Sequence, residues 1–87
     1  MQSQTFHIGG DGGISIAAEA TGNADALPVL LAHGGGQTRH AWKRVTADLA
    51  NAGFRPIAID MRGHGDSEWS AEGAYETRDF ASDLVAI

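Results

Sequence analysis

Two short apolar runs, each breaking into glycine at its C-terminal end and separated by one amphipathic segment, restrict this chain to few folds. The first is Pro28-Val29-Leu30-Leu31-Ala32, followed at once by His33-Gly34-Gly35-Gly36. The second runs from Phe54 to Asp60 and breaks into Met61-Arg62-Gly63-His64-Gly65-Asp66-Ser67. Val29, Leu30 and Leu31 do not alternate with polar residues, the pattern of a strand covered on both faces. Pro28 is tolerable at a strand start, where a missing N–H costs little. Between the runs, Trp42, Val45 and Leu49 stand at i, i+3 and i+7 while Lys43, Arg44 and Asp48 point elsewhere, which predicts an amphipathic helix stopped by Gly53. Strand, helix and strand make a βαβ unit that should cross right-handed. The fold class is therefore α/β. A strand ending in glycines just before a helix leaves backbone N–H groups uncovered where a substrate oxygen would sit.

The flanks extend this picture. Thr5 to Ile8 and Ile14 to Ala20 read as two strands of a β-hairpin, with Gly9-Gly10-Asp11-Gly12-Gly13 as the turn. In the second strand Ile14, Ile16 and Ala18 fall on one side and Ser15, Ala17 and Glu19 on the other, as in a half-buried strand. Residues 21–25 and 70–74 read as loops. Thr77 is placed to cap a helix with Phe80, Leu84 and Ile87 on one face and Asp79 and Asp83 off it. That pattern reaches Ile87 with no Gly, Asn, Pro or closing cation to satisfy the last carbonyls. With 87 residues, fewer than a doubly covered sheet normally needs, the expectation is an incomplete fold. No repeat or linker divides residues 1–87, so they are expected to be part of one domain.

Composition removes several classes of function. Six Lys and Arg against 11 Asp and Glu give a net charge of -5, which disfavours nucleic acid as a partner. There is no Cys, hence no disulfide, thiolate metal site or Cys nucleophile in this segment. The histidines at 7, 33, 40 and 64 lack close metal-ligand spacing, so neither a metal nor another cofactor is expected. Leu27 to Ala32 is far too short to span a bilayer, and Met1-Gln2-Ser3-Gln4 carries no positive charge of a secretory signal. The reading is a soluble, cytoplasmic protein without a membrane partner.

Taken in order, Pro28 to Gly36, Trp42, and Asp60-Met61-Arg62-Gly63-His64-Gly65-Asp66-Ser67 resemble the N-terminal third of the α/β-hydrolase superfamily. The resemblance covers nearly the whole chain and implies the sheet order of that family's start: hairpin, then β-α-β, then a helix leading toward the nucleophile strand. It implies that Gly35, the residue after the His-Gly pair, gives a backbone N–H to the oxyanion hole, with Gly36 able to share the task. The family's nucleophile, acid and His all lie beyond the position matched by Ile87, and G-x-S-x-G does not occur here. These 87 residues are therefore expected to be catalytically silent alone. Gly36 stands where the family's epoxide hydrolases usually carry Pro, which ranks the aspartate-nucleophile branch lower. The turn from Arg62 to Ser67 looks more like the esterase, haloperoxidase-like and carbon–carbon bond hydrolase branches. The resemblance thus implies a serine nucleophile and a small organic ester or carbonyl compound as substrate.

Other residues take supporting parts. His33 is expected to fix the loop by hydrogen bonding from the strand end. Gln37 and His40 are candidates for the substrate pocket mouth, and Thr38 and Arg39 for the same place or a solvated helix start. The Trp42 indole is expected to pack. Asp60, Arg62, Gly63, Gly65 and Ser67 should hold a sharp turn through side-chain bonds to backbone and an Arg fork. Ser67 lacks the second glycine of an elbow and does not follow directly on a strand. A second function class stays open: a non-catalytic chain that binds a partner, or itself, through a free edge at Val29-Leu30-Leu31.

Overall fold

The computed structural model describes residues 3–33, 37–75 and 77–87. Four strands, β1 (Ser3–Gly9), β2 (Ser15–Thr21), β3 (Leu27–Ala32) and β4 (Phe54–Ile59), form one mixed sheet with two helices, α1 (Lys43–Asn51) and α2 (Thr77–Ala86). The sheet order is β1-β2-β4-β3. β1 and β2 make the expected antiparallel hairpin, in register from Ser3↔Thr21 to Gly9↔Ser15. β4 lies between β2, antiparallel, and β3, parallel, the latter in register from Leu27↔Phe54 to Ala32↔Ile59. The two glycine-rich segments therefore follow the same end of adjacent parallel strands.

Alternation along the inner strands separates the two faces. Ile16, Ala18, Ile59 and the following Met61 form the buried core, with Phe6, Ile8, Ile57, Phe80 and Leu84 packed around them. Ile16 and Ile59 are wholly buried, each contributing about 1.5–3 kcal/mol of transfer free energy. α2 covers this face through Phe80, Leu84 and Ile87, as its periodicity predicts. α1 lies on the opposite face, against β4 and β2. It ends where Gly53 takes φ +94°, a left-handed conformation that costs a residue without Cβ little.

Three expectations about coverage are corrected. β2 is not half-buried: Ala17 is as enclosed as Ala18, because β2 is an interior strand with neighbours on both sides. β3 is not covered on both faces: it is the edge strand, with Leu27 67% and Leu30 40% exposed. Asp83 does not lie off the packed face of α2: it is 1% exposed and pairs with Arg62. The amphipathic helix is also shorter than its pattern. Trp42 belongs to a 3-10 turn, Arg39–Trp42, that precedes α1, and Val45 is 40% exposed. The cap expected from the Thr77 side chain lies outside the described residues.

Candidate functional site

The ends of β3 and β4 are tied together by side chains that leave the ladder. Just past β3, the buried His33 ring accepts the Met61 N–H at Nε2, 2.8 Å away. A backbone amide only donates, so Nε2 carries its lone pair and the ring is the neutral Nδ1–H tautomer. On the far side of the Gly34 to Gly36 segment, the Arg39 N–H and guanidinium both donate to the wholly buried Asp60 carboxylate. Arg39 also reaches Asp66 at 3.0 Å and Glu19 at 3.4 Å. Arg39 is thus neither a mouth residue nor a solvated helix start, but a buried cation among three carboxylates.

Asp60 organises the turn that follows β4. Besides Arg39, its Oδ2 accepts the Asp66 N–H at 3.0 Å, and Gly65, at φ +48°, passes so close that a Cβ there would fall 2.5 Å from Asp60 Cγ. Only glycine fits both the space and the torsion. Burial alone would push the Asp60 carboxyl up, but the Arg39 and Asp66 N–H bonds and the Arg39 guanidinium outweigh it and hold the group below the usual carboxylate range. Burial likewise pulls the Arg39 guanidinium down, and its bonds to Asp66, Asp60 and Glu19 more than offset this, keeping it above its ordinary value.

Ser67 closes the turn on β2. Its Oγ accepts the Ala17 N–H at 2.8 Å and donates to the Asp60 carbonyl. Both functions of the hydroxyl are committed to backbone, and the residue is buried. Arg62 points to the other side of the turn and grips Asp83 in a fork, Nε at 2.7 Å and Nη2 at 2.6 Å, while Nη1 donates to the Ala74 carbonyl at 3.0 Å. Asp83 also accepts the Asp11 N–H at 2.9 Å. The fork raises Arg62 above its ordinary value. Gly63, at φ +75°, lies against the Tyr75 ring.

The sequence candidates divide accordingly. Asp60, Arg62, Gly63, Gly65 and Ser67 gather in one turn beyond β4 with side chains directed to backbone or ion pairs. Gly35 and Gly36, the oxyanion-hole candidates, lie outside the described residues. Gln37 and His40 are exposed, and His40 lines a 320 Å³ cavity on the α1 face with Glu19, Thr21, Arg39 and Lys43. The residues missed at the sequence level are Asp83, Asp66 and Glu19, whose roles depend on long-range pairing. A signal was present for Asp83: it sits at i+3 from Phe80 and i−1 from Leu84, inside the helix face read as apolar.

The residues that flank the glycine segment in sequence, His33 and Arg39, are thus both tied to the end of β4 in an α/β sheet, and comparison with known proteins gives the family. The model of the alpha/beta hydrolase fold family matches residues 28–87, and the chain belongs to that family. It is 35% identical over 75 residues to Epoxide hydrolase B of Mycobacterium tuberculosis, covering 85% of this chain and 21% of that protein. An esterase of the same organism is 43% identical over 47 residues, covering 54% of this chain and 15% of the esterase. The thioesterase domain of the curacin biosynthetic pathway superposes with TM-score 0.88 at 27% identity, over 98% of this chain and 30% of that domain. The chain thus spans about a fifth to a quarter of the length of the curated relatives it matches most fully. Among the described residues no helix is long and apolar enough to cross a membrane.

Proposed function

We propose that residues 1–87 are the N-terminal part of a single hydrolase domain, supplying its oxyanion-hole loop and not its nucleophile. The substrate is a small organic ester or carbonyl compound, attacked by a serine, and no metal or cofactor takes part. The observation that supports this reading is that the two described residues flanking the glycine segment in sequence are tied to the end of β4, His33 through Met61 and Arg39 through Asp60. An oxyanion hole works by donors fixed in place before charge develops, and two anchors on the strand ends are what such a loop requires. Gly35, with Gly36, supplies the N–H groups, and Gln37 and His40 stand at the pocket mouth. A second reading, epoxide opening by an aspartate, has the 35% identity to Epoxide hydrolase B in its favour; Gly36 in the usual proline place counts against it.

The test starts with the intact mass of the protein from its native source against the 9.1 kDa of this chain. The purified native protein is then assayed on p-nitrophenyl butyrate and on styrene oxide, beside a Gly35→Pro variant that lacks the N–H. Ester turnover that falls about 10²–10³-fold in kcat with Gly35→Pro, at little changed KM, is the expected result. Epoxide turnover without ester turnover would move the protein to the second reading. An unchanged kcat in Gly35→Pro would remove the oxyanion role.

A further inference from the structure

The cavity on the α1 face is built around a guanidinium that the turn beyond β4 does not use up. Arg39 is 8% exposed and carries five N–H donors. Its Nε reaches Glu19 at 3.4 Å, and Nη1 commits its hydrogens to Asp60 and Asp66. Nη2 makes no hydrogen bond among the described residues, and it is not sealed from solvent, since the sealed side-chain donor without a partner there is Trp42 Nε1. Arg39 lines the cavity, so the hydrogens of Nη2 are what an occupant meets. We propose that this 320 Å³ cavity is a binding site for a neutral polyhydroxylated molecule of monosaccharide size, held between Arg39 and Glu19.

The rest of the lining decides the class of ligand. Ser3 and Thr21 come from the hairpin and Lys43 and Thr46 from α1, so the cavity opens between those two elements. Glu19, 32% exposed, turns Oε1 toward Arg39, while its Oε2 accepts no hydrogen bond among the described residues. The Ser3 and Thr21 hydroxyls share one bond of 3.1 Å, which leaves one of them its hydrogen and both of them acceptor capacity. An unused donor on Arg39 thus adjoins an unused acceptor on Glu19. Two neighbouring hydroxyls match that pair: one oxygen accepts from Nη2 while the next O–H donates to Oε2, and both bonds are charge-assisted. Charge disfavours other ligands. Arg39 and Lys43 stand against Glu19 in the lining and against Asp60 and Asp66 directly behind Arg39, so phosphate would meet more negative charge than positive. A metal ion would find one carboxylate in the lining, and among the described residues no group of three or more His, Asp or Glu is placed to hold one. Ala47 and Ala58 complete the lining with small apolar surface for the C–H groups of such a molecule. The occupant is bound and not converted, so the site stands independently of ester hydrolysis.

The experiment titrates the isotope-labelled chain with glucose and, in a parallel series, with inorganic phosphate, and follows the amide resonances by NMR. Glucose is expected to give saturable shifts at Glu19, Thr21, Arg39 and Thr46 with a Kd of about 1–10 mM, and phosphate is expected to give none that saturate there. Glu19→Gln keeps the shape and one carbonyl but loses the charge, and should weaken glucose about tenfold. Thr46→Val keeps the shape and loses the hydroxyl, and should weaken it about threefold. The spectrum of each variant without ligand shows whether its fold is intact, and if Glu19→Gln disturbs the fold, Thr46→Val decides. Absence of saturation at these residues, equal glucose affinity in the wild type and both variants, or phosphate binding in preference to glucose would overturn the proposal. Glucose binding by a protein without ester turnover would remove the function proposed above and keep this site; ester turnover without glucose binding would do the reverse.

Discussion

At the scale of single residues, the turn beyond β4 is built around one carboxylate. Asp60 is wholly buried and accepts from two backbone amides and a guanidinium, so its charge is held by a closed set of donors. Its pKa is depressed relative to the unfolded chain, which fixes the sign of its contribution to stability. A depressed carboxyl stabilises the fold fully above the ordinary carboxylate pKa, about 4, and that stabilisation is lost as pH falls through the lower folded-state value. Asp60→Asn should therefore be destabilising at neutral pH, where the charge is present in the wild type. The difference in urea midpoint between the two proteins should shrink as the solution is taken well below pH 4. A difference that stayed constant down to the acid limit would show that Asp60 acts by shape alone. The aspartate and the glycine at 65 were legible as turn residues, but Arg39 was not. Nothing local distinguishes a buried arginine from a solvated one at a helix start when its partners are 20 to 27 positions away.

At the scale of elements, helix and strand types were legible because hydrophobic period is a local signal. The hairpin, the β-α-β unit and α2 all follow from it. Their neighbours were not legible, since sheet order depends on which strand wins the central place. Val29-Leu30-Leu31 does lie at the edge read for it, but Leu30 there is exposed where the unbroken apolar run suggested cover on both faces, while the small alanines of β2 sit in the middle. The attachment of α2 is likewise non-local. Phe80 and Leu84 pack on the core, and the Arg62–Asp83 fork locks the helix to the turn and, through the Asp11 N–H, to the hairpin. Removing one partner leaves a buried charge without compensation, so Asp83→Ala should cost about 3–5 kcal/mol. Replacing both, Arg62→Met with Asp83→Leu, should cost much less than Asp83→Ala alone, because no charge is then stranded. Urea unfolding of the two variants, with hydrogen exchange of the α2 amides, checks this. A double variant no better than Asp83→Ala would mean that the fork's further bonds to Ala74 and Asp11, and not the stranded charge, carry the cost.

At the scale of the whole molecule, one face and one edge of the sheet are left with apolar surface. A 330 Å³ groove runs over the α2 face beside β3, lined by Phe6, Ile8, Pro28, Leu30, Ile57 and Ile87 among others, and it adjoins the β3 edge on which Leu27 is exposed. The same surface gives physical content to the alternative that the chain associates through β3, because an uncharged edge strand with unpaired backbone groups invites a second strand. The 87-residue chain by itself is therefore expected to show a sedimentation coefficient that rises with concentration. Lysine at both Leu27 and Leu30 should suppress that rise while leaving the far-UV circular dichroism unchanged, since both side chains lie on exposed parts of β3 and a charged edge resists pairing. If the double lysine variant associates as strongly as the parent, β3 is not the contact, and association must use surface remote from this edge. If neither protein associates, the free edge does not by itself drive self-association, and the alternative of binding a second copy through β3 is removed.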